Sequence, residues 1–168
     1  MSSSLPAAVL QELTHQFNHE LLAAQSYLAL SVWCEAQNFS GCAAFFAKQA
    51  GEEREHADKI IAHLLDRGAP AAIAAMEAPR QKFSSLGDVA LHAQALEQAN
   101  TKGIHAALDA AVAAKDYPAQ VLLHWFVSEQ VEEEAWASKM VALVQRANCA
   151  GGLSSFDRHV SDLLSTGK

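Results

Sequence analysis

Glu52-Glu53-Arg54-Glu55-His56 is the stretch on which the reading of this sequence turns. Glu53 and His56 are three apart, which places two side chains on one face of a helix. Both fall on a stripe that is otherwise core: Phe46, Gln49, Glu53, His56, Ile60 and Leu64. A carboxylate and an imidazole aimed into a helical core are costly unless paired or bound to a cation. A metal ion removes that cost. Glu-x-x-His also arises by chance, so one copy decides little. The weight comes from whether other helices carry the same anomaly.

They do. Upstream, Ser4 is a good N-cap and Pro6 is tolerated in a first helical turn. The pattern predicts a helix over 5–37 whose inner stripe reads Leu13, Phe17, Glu20, Ala24, Tyr27, Ser31 and Cys34. Glu20 is a carboxylate in a row of core positions, unless the stripe is drawn one residue off and Glu20 lies at its edge. The short turn Asn38-Phe39-Ser40-Gly41 makes the next helix, over 41–67, an antiparallel neighbour. Gly68 suits its C-terminus. The segment 69–84, with Pro70 and Pro79, has no helical period. At about 3.3 Å per extended residue it reaches along a whole bundle. The third helix is then parallel to the second, a bundle with one long crossover.

Ser85 and Asp88 predict a capped start for a third helix over 86–115, with the stripe Ala90, Ala93, Glu97, Asn100, Ile104, Ala107 and Ala111. His92 and His105 lie off it. Asp116 caps a fourth helix over 117–149, with the stripe Leu122, Phe126, Glu129, Glu133, Trp136, Met140 and Leu143, and with Gln130 and Glu132 alongside. Gly151-Gly152 is expected to end it. Ser154 and Asp157 are expected to cap a fifth helix over 154–164, too short to stand alone and so docked on the bundle or a neighbouring subunit.

The bulk numbers agree with one all-α domain over 1–168. The chain is 51% hydrophobic and 18% charged, with four prolines and eight glycines. A net charge of -7 argues against a nucleic-acid partner and suits the attraction of cations. No apolar run is long enough for a membrane span. The N-terminus lacks a signal-peptide pattern, and three scattered cysteines without a CxxC pair point to a reducing cytoplasm.

Four helices each place a carboxylate in the core stripe near mid-length, and such a group cannot be buried as bare charges. The donors are oxygens with one imidazole and no thiolate. Calcium favours loop carbonyls and structural zinc favours Cys or more His. Two ions of iron or manganese fit a four-helix core of this kind.

At these residues the chain resembles the non-haem bacterial ferritins. The resemblance runs from Pro6 to about Leu164. It rests on Asn18-His-Glu20, Gln25-Ser-Tyr27, Trp33-Cys34, Glu52-Glu53-x-x-His56, Pro79-x-x-x-x-Ser84-Ser-Leu86, Leu96-Glu97, Asp116-Tyr-Pro118 and Trp125-x-Val-Ser-Glu129-Gln130-x-Glu132-Glu133-Glu134. It implies a ferritin-like four-helix bundle with a short fifth helix, assembled as a cytoplasmic cage of twenty-four subunits. It also implies a ferroxidase that oxidises ferrous iron with dioxygen or peroxide and stores ferric mineral. The first iron takes Glu20, Glu53 and His56; the second shares Glu53 and adds Glu97, with Gln130 close by. Glu52, Glu129, Glu132 and Glu133 match a third iron site. Tyr27 matches a tyrosine that hydrogen-bonds a ligand or supplies an electron.

The fourth helix carries Gln130-x-x-Glu133 where a general di-iron bundle repeats Glu-x-x-His. That separates the chain from bacterioferritin and rubrerythrin-like proteins. No methionine closely follows the Glu53 motif, as one does in haem-binding ferritins, so haem is not expected. Two other readings stay open at this point: a soluble di-iron oxidase or peroxidase that stores nothing, and a helical scaffold without catalysis.

Overall fold

The computed structural model describes residues 5–147 and 149–165 and contains, among them, five helices and no strand. They are α1 (Ala7–Ala36), α2 (Ser40–Asp66), α3 (Leu86–Ala113), α4 (Tyr117–Arg146) and α5 (Ala150–Leu164). The Ser4 cap expected for α1 lies outside the described residues; Pro6 occupies the cap position instead.

The helix ends follow from local chemistry. After α2, Gly68 adopts φ +69°. The N–H groups of Gly68 and Ala69 then return to the carbonyls of Leu65 and Leu64, a left-handed cap that suits a residue without a Cβ. Asn38 ends α1 in the same way, with φ 61°. Ser85 accepts from the backbone N–H of Asp88 at 3.1 Å, and the Asp88 carboxylate accepts from the N–H of Ser84 at 2.9 Å. Asp116 accepts from the N–H of Ala119 and is clasped through both oxygens by Arg67, each at 3.0 Å. That pair ties the end of α2 to the start of α4.

Two apolar clusters fix the topology. One joins the C-terminal half of α1 (Tyr27, Leu30, Cys34) to the starts of α2 (Phe46) and α3 (Ala90) and the end of α4 (Met140). The other joins the start of α1 (Leu13) to the ends of α2 (Leu64) and α3 (Ile104) and the start of α4 (Leu123). Hence α1 and α4 run one way, and α2 and α3 the other. The crossover over 69–85 carries the chain from one end of the bundle to the other. Asn18 holds it against α1, donating to the carbonyl of Ala72 and accepting from the N–H of Ala74. No described helix is long and apolar enough to cross a membrane.

The fifth helix differs from expectation. It begins at Ala150, with Cys149 at its cap, so Gly151 and Gly152 lie in its first turn and α4 has already ended at Arg146. Asp157 does not cap its own helix. It is buried, and its carboxylate accepts from the N–H groups of Cys42 at 2.7 Å and Gly41 at 3.2 Å, capping the start of α2. A side chain on Gly41 would overlap the carbonyl of Asp157, so the close approach of α5 depends on that glycine. Cys34 and Cys42 pack in the apolar core beneath this contact; burial pushes the Cys34 thiol up to about 12 and raises that of Cys42 further.

Candidate metal centre

Between the two apolar clusters lies a polar layer. Each helix supplies its members at the height where its apolar stripe is interrupted. Glu20 comes after Phe17 on α1, Glu53 and His56 after Phe46 on α2, Glu97 after Ala93 on α3, and Gln130 and Glu133 after Phe126 on α4. All six are buried.

Glu20, Glu53 and His56 converge. One donor atom from each lies within 4.8 Å of the others. His56 Nδ1 stands 3.5 Å from Glu53 Oε2 and 4.0 Å from Glu20 Oε2. Glu20 Oε2 and His56 Nδ1 are buried without a hydrogen-bond partner. Such groups are rare in folded proteins, and two that face each other in one cluster suit a bound ion. The carboxyls feel the same deficit. Burial, then the charge of Glu53, raises Glu20 well above the ordinary range. Burial above all, reinforced by the charges of Glu97 and Glu133, pushes Glu53 up to about 8.

Glu97 lies in the same layer with other partners. Tyr27, fully buried, donates its hydroxyl to Glu97 Oε1, and Gln130 Nε2 donates to Glu97 Oε2 at 3.3 Å. Burial raises Glu97 despite both bonds, and burial with the nearby Glu97 raises Tyr27. Trp136 Nε1 donates to Glu133 Oε2, and Gln49 Nε2 reaches the same oxygen at 3.1 Å. Burial followed by the Glu97 charge pushes Glu133 up to about 7.

A cavity of about 920 Å³ opens from this layer between α2 and α4. Glu52, Glu129, Glu132 and Glu133 line it, with His56 and Trp125. Glu52 is paired with Lys48 at 2.8 Å. Trp125 stands edge-on to His56 at 5.6 Å, and the Lys59 ammonium covers its ring at 4.1 Å.

The sequence stripe of α4 is corrected at three places. Glu129 is half-buried on the cavity wall while Gln130 sits in the core, Leu123 rather than Leu122 is buried below it, and Val144 rather than Leu143 is buried above. Nearly every residue from 129 to 134 is acidic or an amide, so periodicity alone could not tell the two faces apart. Sequence reasoning passed over Gln16 and read Asn100 only as a member of the α3 stripe. Both are buried, Gln16 donates to Glu20 Oε1 at 2.7 Å, and Asn100 donates to Glu53 Oε2 at 3.3 Å. The signal was present: an uncharged amide at core spacing, one turn from a buried carboxylate.

The arrangement can hold a hard cation among two carboxylates and an imidazole. Comparison with known proteins points the same way. The Ferritin-like domain family pattern matches residues 10–147. The chain is 40% identical over 127 residues to a bacterial non-heme ferritin of Staphylococcus aureus, covering 76% of each chain. It is also 40% identical over 127 residues, 76% of each chain, to one of Staphylococcus saprophyticus. Among solved structures, an open pore ferritin from the hyperthermophilic archaeon Archaeoglobus fulgidus superposes with a TM-score of 0.90 at 27% identity, over 98% of this chain and 100% of that one.

Proposed function

The chain belongs to the ferritin family, and from that premise we propose that it is a ferroxidase that oxidises ferrous iron in its buried polar layer and stores the ferric product inside a cage. The observation that carries this is the convergence of the buried Glu20, Glu53 and His56, with Glu20 Oε2 and His56 Nδ1 left without partners.

Iron is the substrate. The first ferrous ion takes Glu20, Glu53 and His56; the second shares Glu53 and takes Glu97, with Gln130 beside it. Glu53 is the bridge in this reading: it stands 3.5 Å from His56 and feels the charge of Glu97. Two ions bound as a pair match an oxidant that takes two electrons, one from each, and dioxygen or peroxide serves. Proton release accompanies binding, since Glu53 holds its proton up to about pH 8 until a cation displaces it. Tyr27 fixes Glu97 through its hydroxyl and is the nearest electron source to that carboxylate. Ferric ions leave by way of Glu133 to Glu52, Glu129 and Glu132 on the cavity wall, the third iron site.

The match to proteins called non-heme ferritins supports a site without haem. The cage is a homo-oligomer of twenty-four subunits in the cytoplasm, with no nucleic-acid or membrane partner. Its acidic charge of -7 favours cation entry. The docked α5 is the element to seat neighbouring subunits. Aerobic loading with excess ferrous salt, followed by size-exclusion with iron and protein read together, tests the proposal. Iron eluting with a particle of many subunits supports storage. Oxidation by a small oligomer that retains no iron leaves a soluble di-iron oxidase instead.

A further inference from the structure

Gln16 and Asn100 stand outside the donor set, yet both are almost completely buried, at 2% and 0% exposed. They form one directed run of hydrogen bonds across three helices. Gln16 Nε2, on α1, donates to Glu20 Oε1 at 2.7 Å and to Asn100 Oδ1 at 3.3 Å. With its carbonyl so occupied, Asn100 on α3 turns its amide nitrogen to α2, where it donates to Glu53 Oε2 at 3.3 Å. An amide has donors only on nitrogen and acceptors only on oxygen, so flipping Asn100 would lose both of its bonds. Gly103 makes the room: a Cβ there would overlap Gln16 Oε1. The chain omits a side chain at the point where the Gln16 amide lies.

We propose that Gln16 and Asn100 are positioning residues that set the carboxylates of Glu20 and Glu53 in place before any ion arrives. The inference rests on the reading of this layer as the iron site. Each amide fixes one oxygen of its carboxylate. Glu20 Oε2 and His56 Nδ1, both unpartnered, are thereby left facing each other across 4.0 Å. The device is one-sided. Glu97 is held by Tyr27 and Gln130, not by this run, so the amides preorganise both carboxylates of the first ion position but only the shared Glu53 of the second. Groups that orient metal ligands typically change affinity about 10–100-fold when lost.

Two variants separate positioning from bulk stability. Asn100→Leu keeps the size and removes the amide. Gly103→Ala keeps every polar group and only displaces the flexible end of Gln16; alanine also raises helix propensity, so this variant decides the question alone if Asn100→Leu does not fold. Metal-free assembled protein is titrated anaerobically with Co(II), read by calorimetry and by the visible absorption of the bound ion. Each variant is expected to lose affinity for the first equivalent by on the order of ten-fold, with an altered spectrum for that equivalent. The second equivalent is expected to lose clearly less, since only the shared Glu53 links it to the amides. Two unchanged equivalents would overturn the positioning role. Equal losses at both, with a lower melting temperature, would overturn it too, since the amides would then be merely structural. A parent protein that takes up no Co(II) would overturn both this inference and the reading of the site.

Discussion

Replacing Glu53 with Gln is expected to stabilise the metal-free protein, against the usual outcome of altering a buried polar group. Glu53 is 1% exposed, and its carboxyl is pushed up to about 8, first by burial. In the unfolded chain it titrates near 4.5. A raised folded value means that the group is least costly below about pH 4.5, and that stability is lost as pH climbs towards 8, because the native state keeps a proton the unfolded chain has released. At pH 7 the difference is roughly 3 kcal/mol, taking 1.36 kcal/mol per pH unit. Glutamine has the same shape, accepts the Asn100 donor on its carbonyl and needs no proton. Glu53→Gln is therefore expected to gain about 2–3 kcal/mol at pH 7. For a chain of this size that is roughly 4–12 °C in Tm. The gain should vanish near pH 4. The assay is thermal unfolding of chelator-treated protein by circular dichroism from pH 4 to 8, at one protein concentration because assembly adds to apparent stability. A Glu53→Gln protein less stable than the parent at pH 7, or equally shifted at pH 4 and 7, would refute the view that an uncompensated acid strains this layer.

Three further outcomes are expected. His56→Ala should weaken chiefly the first of two ferrous equivalents and Glu97→Ala chiefly the second, each by about ten-fold or more, in anaerobic titration; loss at the same equivalent in both would merge the two positions. Glu129→Ala should slow turnover after the first oxidation more than the first oxidation itself, read by successive ferrous additions in stopped flow; equal slowing would place Glu129 in the primary centre. Gly41→Ala should force α5 away from the start of α2 and break the Asp157 cap, lowering stability by about 1–3 kcal/mol and opening α5 to protease around Phe156 and Val160; an unchanged melt and digestion pattern would show that α5 docks without that contact.

The parts of the fold that rest on local pattern were legible. The stripes of α2 and α3 are buried at every position read from their periodicity, because a two-sided helix in an Ala- and Leu-rich core leaves little choice of face. Gly68, Ser85 and Asp116 act at helix ends in the way their side chains predict. What escaped was settled by tertiary packing or masked by polar neighbours. Asp157 looks like a cap for its own helix, and only tertiary packing brings it to Cys42. Gln16 and Asn100 carry no charge, so nothing in composition marks them, although they contact both carboxylates of the converging trio. Glu129 was misplaced by one position because its neighbours are equally polar. The indole of Trp136 reads as core, yet its nitrogen serves Glu133.

The central claim is that Glu53 joins two ferrous ions at one buried centre. Stopped-flow oxidation tests it most directly: metal-free protein receives two ferrous ions per subunit without oxygen, is mixed with aerated buffer, and is followed at the ferric absorption band. The parent is expected to oxidise both ions in one fast phase. Glu53→Ala, its helices intact by circular dichroism, is expected to lose that phase and approach the rate in buffer alone. A Glu53→Ala protein that oxidises iron at the parental initial rate would contradict the paired centre.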